Sequence, residues 1–306
     1  MIDRQLLIRF SDIASLLRLH IVGIATCAAL VFSWLMTGHH GVAAAAICAF
    51  DWLVINLLNR ITDVDEDRAN GIPATNLVAR HPRAFYAGTG LGLAASFAVT
   101  HALVPELTAW RALVQLVGTA YSLPLLWTPR GWRRLKALYF LKNFTSAMLF
   151  VATCFVYPLA LQGAPSGLPN GWVSALLLAA FFVCFELTYE IAYDLRDAPG
   201  DRAAGVPTYP VVHGEAGAMR IIRGLLLASM AILIAGAMTG ALGLREALMG
   251  AAPVVQWRWL AVKQRAGLTR ADCIFATNLG SAMLLVYLAG NEVWLRAGLP
   301  ANVVFR

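Results

Sequence analysis

The feature that most constrains this chain is a succession of apolar runs about twenty residues long, such as HIVGIATCAALVFSWLMT at 20–37 and AAAAICAFDWLVINLL at 43–58. In lipid the backbone finds no water, so a run of this length has to satisfy its own hydrogen bonds as a helix. Nine such spans are predicted, over about 15–37, 41–60, 84–104, 107–127, 138–160, 172–193, 218–238, 244–262 and 270–290. Gln256 and Arg258 interrupt the eighth. The short alternating segments of a β-barrel are missing. Composition agrees: 59% of the 306 residues are hydrophobic and 13% are charged, where soluble domains carry about 25%. The expectation is an all-α, polytopic membrane protein, with nine transmembrane helices in one bundle around a central cavity. It forms a single domain over 1–306, with an amphipathic lead at 1–14. That lead is not read as a cleavable signal, because no small-residue cleavage site follows a short apolar core.

Basic residues orient the bundle. One set of alternate loops carries Arg60, Arg68, Arg80 and Arg83, then Arg130, Arg133, Arg134 and Lys136, then Arg196, Arg202, Arg220 and Arg223, then Arg258, Lys263, Arg265 and Arg270. The opposite set carries Arg111, Arg245, Arg296 and Arg306. The positive-inside rule makes the first set cytoplasmic. The net charge of +7 is then topology and contact with anionic membrane lipids, and nucleic acid is not an expected partner. The five cysteines fall in apolar spans without CxxC spacing, so neither a disulfide framework nor a zinc site is expected.

Two of the cytoplasmic loops, about 60–83 and 194–217, are rich in Asp, and they repeat one another. NRITDVDEDRANGIP at 59–73 aligns without a gap on YDLRDAPGDRAAGVP at 193–207, an offset of 134 residues. Asp63 falls on Asp197, Asp67 on Asp201, Arg68 on Arg202, Gly71 on Gly205 and Pro73 on Pro207, whereas Asp65 and Glu66 fall on Pro199 and Gly200. The repeat thereby separates a working pair of acids from its acidic neighbours. The spacing of four puts Asn59, Asp63 and Asp67 on one helix face, and Asp197 and Asp201 on another. The G-x-P after each pair ends the helix.

Two such stripes converging at a cavity mouth repel one another unless cations stand between them. Oxygen-only donors suit Mg²⁺, which binds through one or two carboxylates and bridges them to substrate phosphates. Asp63, Asp67, Asp197 and Asp201 are therefore the predicted metal ligands and catalytic acids, and a diphosphate is the predicted substrate group. Asn59, Arg68, Arg202 and Lys142 are the predicted diphosphate contacts; Lys142 is a cation inside the fifth span. A merely solvated loop accounts for one acidic cluster but not for two with matched spacing. An EF-hand is excluded, because Arg68 stands where that loop needs Gly and Ala74 where it needs Glu.

These residues resemble the UbiA superfamily of intramembrane prenyltransferases. The N-x-x-x-D-x-x-x-D motif after that family's second helix is matched by Asn59, Asp63 and Asp67, and the D-x-x-x-D after its sixth by Asp197 and Asp201. DRAAGVPTYPVVHG at 201–214 and YSLPLLWTPRGWRRLK at 121–136 resemble its further stretches. The resemblance spans roughly 15–290. It implies Mg²⁺-dependent transfer of a polyprenyl group from a polyprenyl diphosphate to a lipophilic, commonly aromatic, acceptor. The chain departs from the family in having Asn59-Arg60 for Asn-Asp, in lacking an Arg-Pro after the first motif, and in having Tyr193 for Asn. Arg60 and Arg68 are the candidates for the missing arginine. The rival readings are a membrane terpene cyclase of the same family, a divalent-cation or lipid-phosphate transporter, and a non-catalytic scaffold. Acids at one membrane edge in both repeats favour an enzyme over a transporter, whose sites lie near the midplane.

Deeper in the spans, Asp51, Glu190 and Asp194 are the candidates on the acceptor side. Glu186, one turn below Glu190, is a second candidate base. Tyr139 is a helper for Lys142. The histidines are read as structural. The expected location is a bacterial inner membrane, with the active site opening near the cytoplasmic face.

Overall fold

A computed structural model describes residues 10–129, 131–263 and 267–304. Within these, the amphipathic lead is represented from residue 10 onward. Arg130, Arg265 and Arg306, used above for orientation, lie outside the described residues, as do residues 1–9 with Arg4 and Arg9.

The chain begins with α1 (Phe10–Leu16), α2 (Leu19–Thr37), α3 (Val42–Thr62), α4 (Val64–Ala69), α5 (Thr75–Arg80), α6 (Pro82–Leu103) and α7 (Thr108–Ser122). A small antiparallel hairpin follows, β1 (Leu126–Thr128) and β2 (Gly131–Arg133), with Trp127 opposite Trp132. A 3₁₀ turn (Leu135–Ala137) leads into α8 (Leu141–Val151), which continues through a π-helical turn (Ala152–Val156) into α9 (Tyr157–Gln162). The remainder is α10 (Gly171–Ala203), α11 (Tyr209–Met238), α12 (Leu244–Leu248), α13 (Ala251–Lys263) and α14 (Arg270–Arg296).

Six of these segments are long and apolar enough to cross a membrane by length and composition: α2, α3, α8 with α9, α10, α11 and α14. The other three predicted spans fall on α6, α7, and α12 with α13. Large apolar side chains face outward on several helices, among them Leu91, Leu103, Leu116, Leu176, Met238 and Val286. Lipid rather than water is the solvent that such a surface matches.

The interior is built around α2, whose Ala25, Ala28 and Ala29 are fully buried. Small residues let neighbouring backbones approach, as membrane helix packing requires. Between α2, α3, α8–α9 and α10 lies an aromatic cluster of Phe32, Phe150, Phe155, Phe182 and Trp52. The rings of Trp52 and Phe150 meet at a tilt of 34° with centroids 4.0 Å apart, and the indole N–H donates to Thr153 Oγ1 at 3.0 Å.

Asp51 belongs to this interior and not to the cavity described below. It is fully buried, accepts from Arg111 Nε at 3.0 Å and Gln115 Nε2 at 2.9 Å, and accepts from the Tyr157 hydroxyl at 2.8 Å. Arg111 in turn donates to Ser96 O and Thr100 Oγ1. The acceptor-side role expected for Asp51 finds no geometric support, because its lone pairs are already engaged. Arg111, read from sequence as a loop cation, is the buried partner of that acid. Among the described residues the cysteines are all free.

Candidate active site

The two Asp segments reach the same cavity by different local structures. In the first, α3 ends at Thr62, Asp63 is non-helical (φ −109°), and the short α4 carries Asp67. The predicted continuous stripe is therefore broken at Asp63. In the second, α10 runs on through Pro199 to Ala203 and holds both Asp197 and Asp201 in one helix. Beyond the acids the two segments become alike again. Ile72 N donates to Asp67 O at 2.9 Å, and Val206 N to Asp201 O at 2.8 Å. Gly71 and Gly205 have φ of +63° and +68°. These are matched left-handed helix stops, a conformation that glycine adopts at no steric cost.

A cavity of about 160 Å³ lies between the two segments. Its lining includes Asn59, Asp63 and Asp67 from the first segment, and Asp194, Asp197 and Asp201 from the second. Lys142 lines it as well: its Nζ lies 2.7 Å from Asp194 Oδ1 and 3.3 Å from Asp201 Oδ2. Asn143 Nδ2 holds the other Asp194 oxygen at 2.8 Å, and Ser146 Oγ donates to Glu190 at 2.6 Å.

Several charged residues at or beside the cavity have no site role assigned from the sequence, and Arg60, a candidate for the missing arginine, joins them there. Lys136, from the turn after the β-hairpin, lies 2.5 Å from Asp63 Oδ1 and 2.7 Å from Glu66 Oε2. Arg134 bridges the same two acids at 3.0 Å each. Arg60 holds Asp67 at 2.7 Å, and Arg196 is paired with its neighbour Asp197. Glu66, set aside because it aligns with Gly200, faces the cavity, whereas its neighbour Asp65 points outward with a 95% exposed side chain. His20 and Tyr121 also line the cavity. The available signal is the dense RRLK stretch at 133–136, whose charges also serve the positive-inside bias.

Other expectations are displaced. Arg68 pairs with Asp65 on the outside, and Arg202 is exposed; neither lines the cavity. A residue aligned in a repeat keeps its place along the helix, but not necessarily the direction of its side chain. Tyr139 is bonded to His213 away from Lys142. Of the two candidates for the missing arginine, Arg60 is the one at the cavity.

Electrostatics follow from burial. Desolvation pushes the Asp63 carboxyl above its ordinary value, against the pull of Lys136 and with a further push from Glu66. Burial acts on Glu66 in the same direction, but Lys136 and Arg134 outweigh it and hold that carboxyl below its ordinary value.

No three acids among the described residues are gathered into a ready ligand shell; Asp63, Glu66, Asp67, Asp194, Asp197 and Asp201 each turn instead to a Lys or Arg. The donor set nonetheless fits Mg²⁺. Eight carboxylates against six Lys and Arg line the cavity among the described residues. Asn59 Oδ1 is buried with no hydrogen-bond donor. An excess of oxygen donors, one of them unsatisfied, suits a hard divalent cation.

The chain's relatives agree with this architecture. The family model described as the UbiA prenyltransferase family matches residues 19–282. A UbiA homolog from Archaeoglobus fulgidus bound to GPP and Mg²⁺ superposes with a TM-score of 0.70 at 18% identity, covering 90% of this chain and 97% of that one. The same homolog bound to DMAPP and Mg²⁺ gives 0.69 at 18% identity, with 90% and 96% covered. A structure of a digeranylgeranylglyceryl phosphate synthase gives 0.59 at 13% identity, with 92% and 97% covered. No curated protein matches the chain. At these identities the structural likeness establishes the fold.

Proposed function

This chain belongs to the UbiA prenyltransferase family, and from that premise we propose that it transfers a polyprenyl group from a polyprenyl diphosphate, with Mg²⁺, to a lipophilic acceptor inside the membrane. The observation that carries the reading is the convergence of two Asp segments, remote in sequence, on one cavity that also holds Lys136 and Lys142. The solved A. fulgidus relatives bound to DMAPP or GPP with Mg²⁺ support it. The positive-inside bias supports a mouth at the cytoplasmic face, in a bacterial inner membrane.

Asp63, Asp67, Asp197 and Asp201 would hold the metal, with Asn59 Oδ1 as a further oxygen donor. Bound Mg²⁺ supplies positive charge that makes diphosphate a better leaving group. Lys136, Arg134, Lys142, Arg60 and Arg196 already hold carboxylate oxygens at the cavity. Each can exchange a carboxylate oxygen for a phosphate oxygen without a long excursion, and preorganised cations stabilise the charge that builds as the C–O bond breaks. Arg68 and Arg202 take no part in this scheme, since they stand outside the cavity. Below the charged mouth, Trp52, Phe150, Leu149, Ile55 and Ile24 line the cavity. They exclude water that would otherwise capture an allylic cation. The cavity is smaller than the roughly 300–1,000 Å³ of typical ligand pockets, so a long prenyl tail extends past it between helices.

The test uses membranes containing the protein, Mg²⁺ and labelled geranyl, farnesyl and geranylgeranyl diphosphates. Diphosphate release should require Mg²⁺, stop with chelator, and vanish in both Asp63→Ala and Asp197→Ala. Release that both variants retain would sink the reading. A cyclic hydrocarbon formed without any acceptor would replace transfer with cyclisation.

A further inference from the structure

The β-hairpin takes no part in the chemistry above, yet it leads straight into Arg134 and Lys136. Trp127 and Trp132 are paired across its two strands, so both rings stand on one side of the ribbon. They are 69% and 65% exposed, and Leu125 just before them is exposed as well. Two strands by themselves are marginally stable in water, and a bare aromatic face on such a ribbon marks a contact.

The position of the hairpin says what it touches. It joins the end of α7 at Ser122 to the start of α8 at Leu141. The outward surface of α7 is apolar, with Leu113 and Leu116 exposed. At α8, Phe140, Phe144 and Met148 recur every fourth residue on the outer side; the first two rings stack with centroids 5.0 Å apart, and Phe140 and Met148 are exposed. Lys142 and Ser146, on the other side of that helix, line the cavity. The lipid-facing surface therefore reaches the level of the charged mouth, and the hairpin continues it.

Charge narrows the contact further. Between Glu106 and Glu186 the chain has no Asp or Glu, while Arg130, Arg133, Arg134 and Lys136 crowd the hairpin. Arg134 and Lys136 turn inward to Asp63 and Glu66. Arg133, next to Trp132 and so on the ribbon's other side, is exposed. Tryptophan favours the membrane–water boundary, where its ring is apolar and its N–H stays wet. The leaflet at the mouth, cytoplasmic by the positive-inside bias, has an anionic surface.

We propose that the hairpin is a lipid anchor: Trp127 and Trp132 seat in the headgroup layer of the leaflet at the cavity mouth, and Arg133 holds the phosphate of an anionic lipid. Seating the ribbon fixes the turn that follows it. Lys136 and Arg134 are then held against Asp63 and Glu66 by the membrane as well as by the bundle, so the lipid around the protein bears on the cations of the cavity.

The experiment reconstitutes the full-length protein in phosphatidylcholine vesicles and in an equal mixture of phosphatidylcholine and phosphatidylglycerol. A variant with Trp127→Phe and Trp132→Phe is the optical reference; subtracting its emission from that of wild type isolates two tryptophans of the nine. That difference signal should lose most of its intensity to lipid brominated near the head of the acyl chain, and little to aqueous iodide. The mixed vesicles should move it to shorter wavelength, and Arg133→Gln should abolish that shift. A signal quenched by iodide and spared by bromolipid would overturn the anchor. A shift that Arg133→Gln leaves intact would overturn the role of Arg133. Trp127→Ser with Trp132→Ser should weaken Mg²⁺-dependent binding of inorganic diphosphate several-fold, and unchanged binding would overturn the link to the cavity. The fluorescence does not depend on turnover, so a failure of the prenyltransferase reading is told apart from a failure of the anchor.

Discussion

The two halves of the Asp repeat make the same helix stop and reach the same cavity, yet the backbone between is built in opposite ways. Around Asp63 the helix breaks and restarts, so Asp63, Glu66 and Asp67 are spread over a bend and gathered by Lys136, Arg134 and Arg60. Around Asp197 the helix continues, and one Lys142 spans Asp194 and Asp201 while Arg196 takes Asp197. The halves are also fitted to each other. A Cβ at Gly200 would lie 2.3 Å from Asn70 Oδ1 of the first half. The residue aligned with Glu66 is therefore a glycine because the first segment rests on it. The difference teaches that a duplicated sequence can conserve its acids and its turns while dividing labour: one half bends to bring more carboxylates in, and the other stays straight and flat to receive it.

If the two halves contribute equally to ionising the donor, Lys136→Met and Lys142→Met should each lower diphosphate release by about 10²–10³-fold, as loss of one preorganised donor does. Kinetics on the two variants side by side would show it, and a drop confined to one would end the claim of equality. Docking between the halves comes next. Gly200→Val should reduce turnover by roughly tenfold through displacement of Asn70, and adding Asn70→Ala should restore most of it. Failure of that rescue would mean the contact is incidental. The matched helix stops predict similar losses for Gly71→Ala and Gly205→Ala, about 1–2 kcal/mol each from the left-handed backbone, read as thermal midpoints in detergent. Unequal shifts would show that the stops carry different loads. The smallest effect is expected at Asp65, whose pair with Arg68 is exposed. Asp65→Asn should change stability by less than about 1 kcal/mol and turnover by less than twofold, whereas Glu66→Gln should be clearly slower.

Much of the bundle could be read in advance because lipid allows so few solutions: apolar runs of span length become helices, and helices α2, α3, α10 and α14 lie where those runs do. The extension of α10 to Ala203 was legible in the spacing of Asp197 and Asp201 and in the G-x-P stop that follows them, although Pro199 and Gly200 by themselves argue for an earlier end. The acids of the site were legible through their repetition. Their cationic partners were less so, because Arg134 and Lys136 serve a membrane-edge loop and a cavity with the same residue types, and charge patterning alone does not separate those uses.

By itself the sequence determined that this chain is a membrane-embedded helical protein, which two short segments would carry to one end of the bundle with four aligned acids and two glycine stops. Hydrophobic length, helical period and left-handed backbone preference are local, and a linear chain displays them. Tertiary structure alone decided which charges meet. It sealed Asp51 against Arg111 and turned Glu66 inward and Asp65 outward. It left Arg68 and Arg202 outside, and set the unpaired Asn56 amide and the Glu186 carboxyl in the same cavity. A side chain's partner depends on the direction in which its helix faces its neighbours, and that direction exists only once the helices have packed.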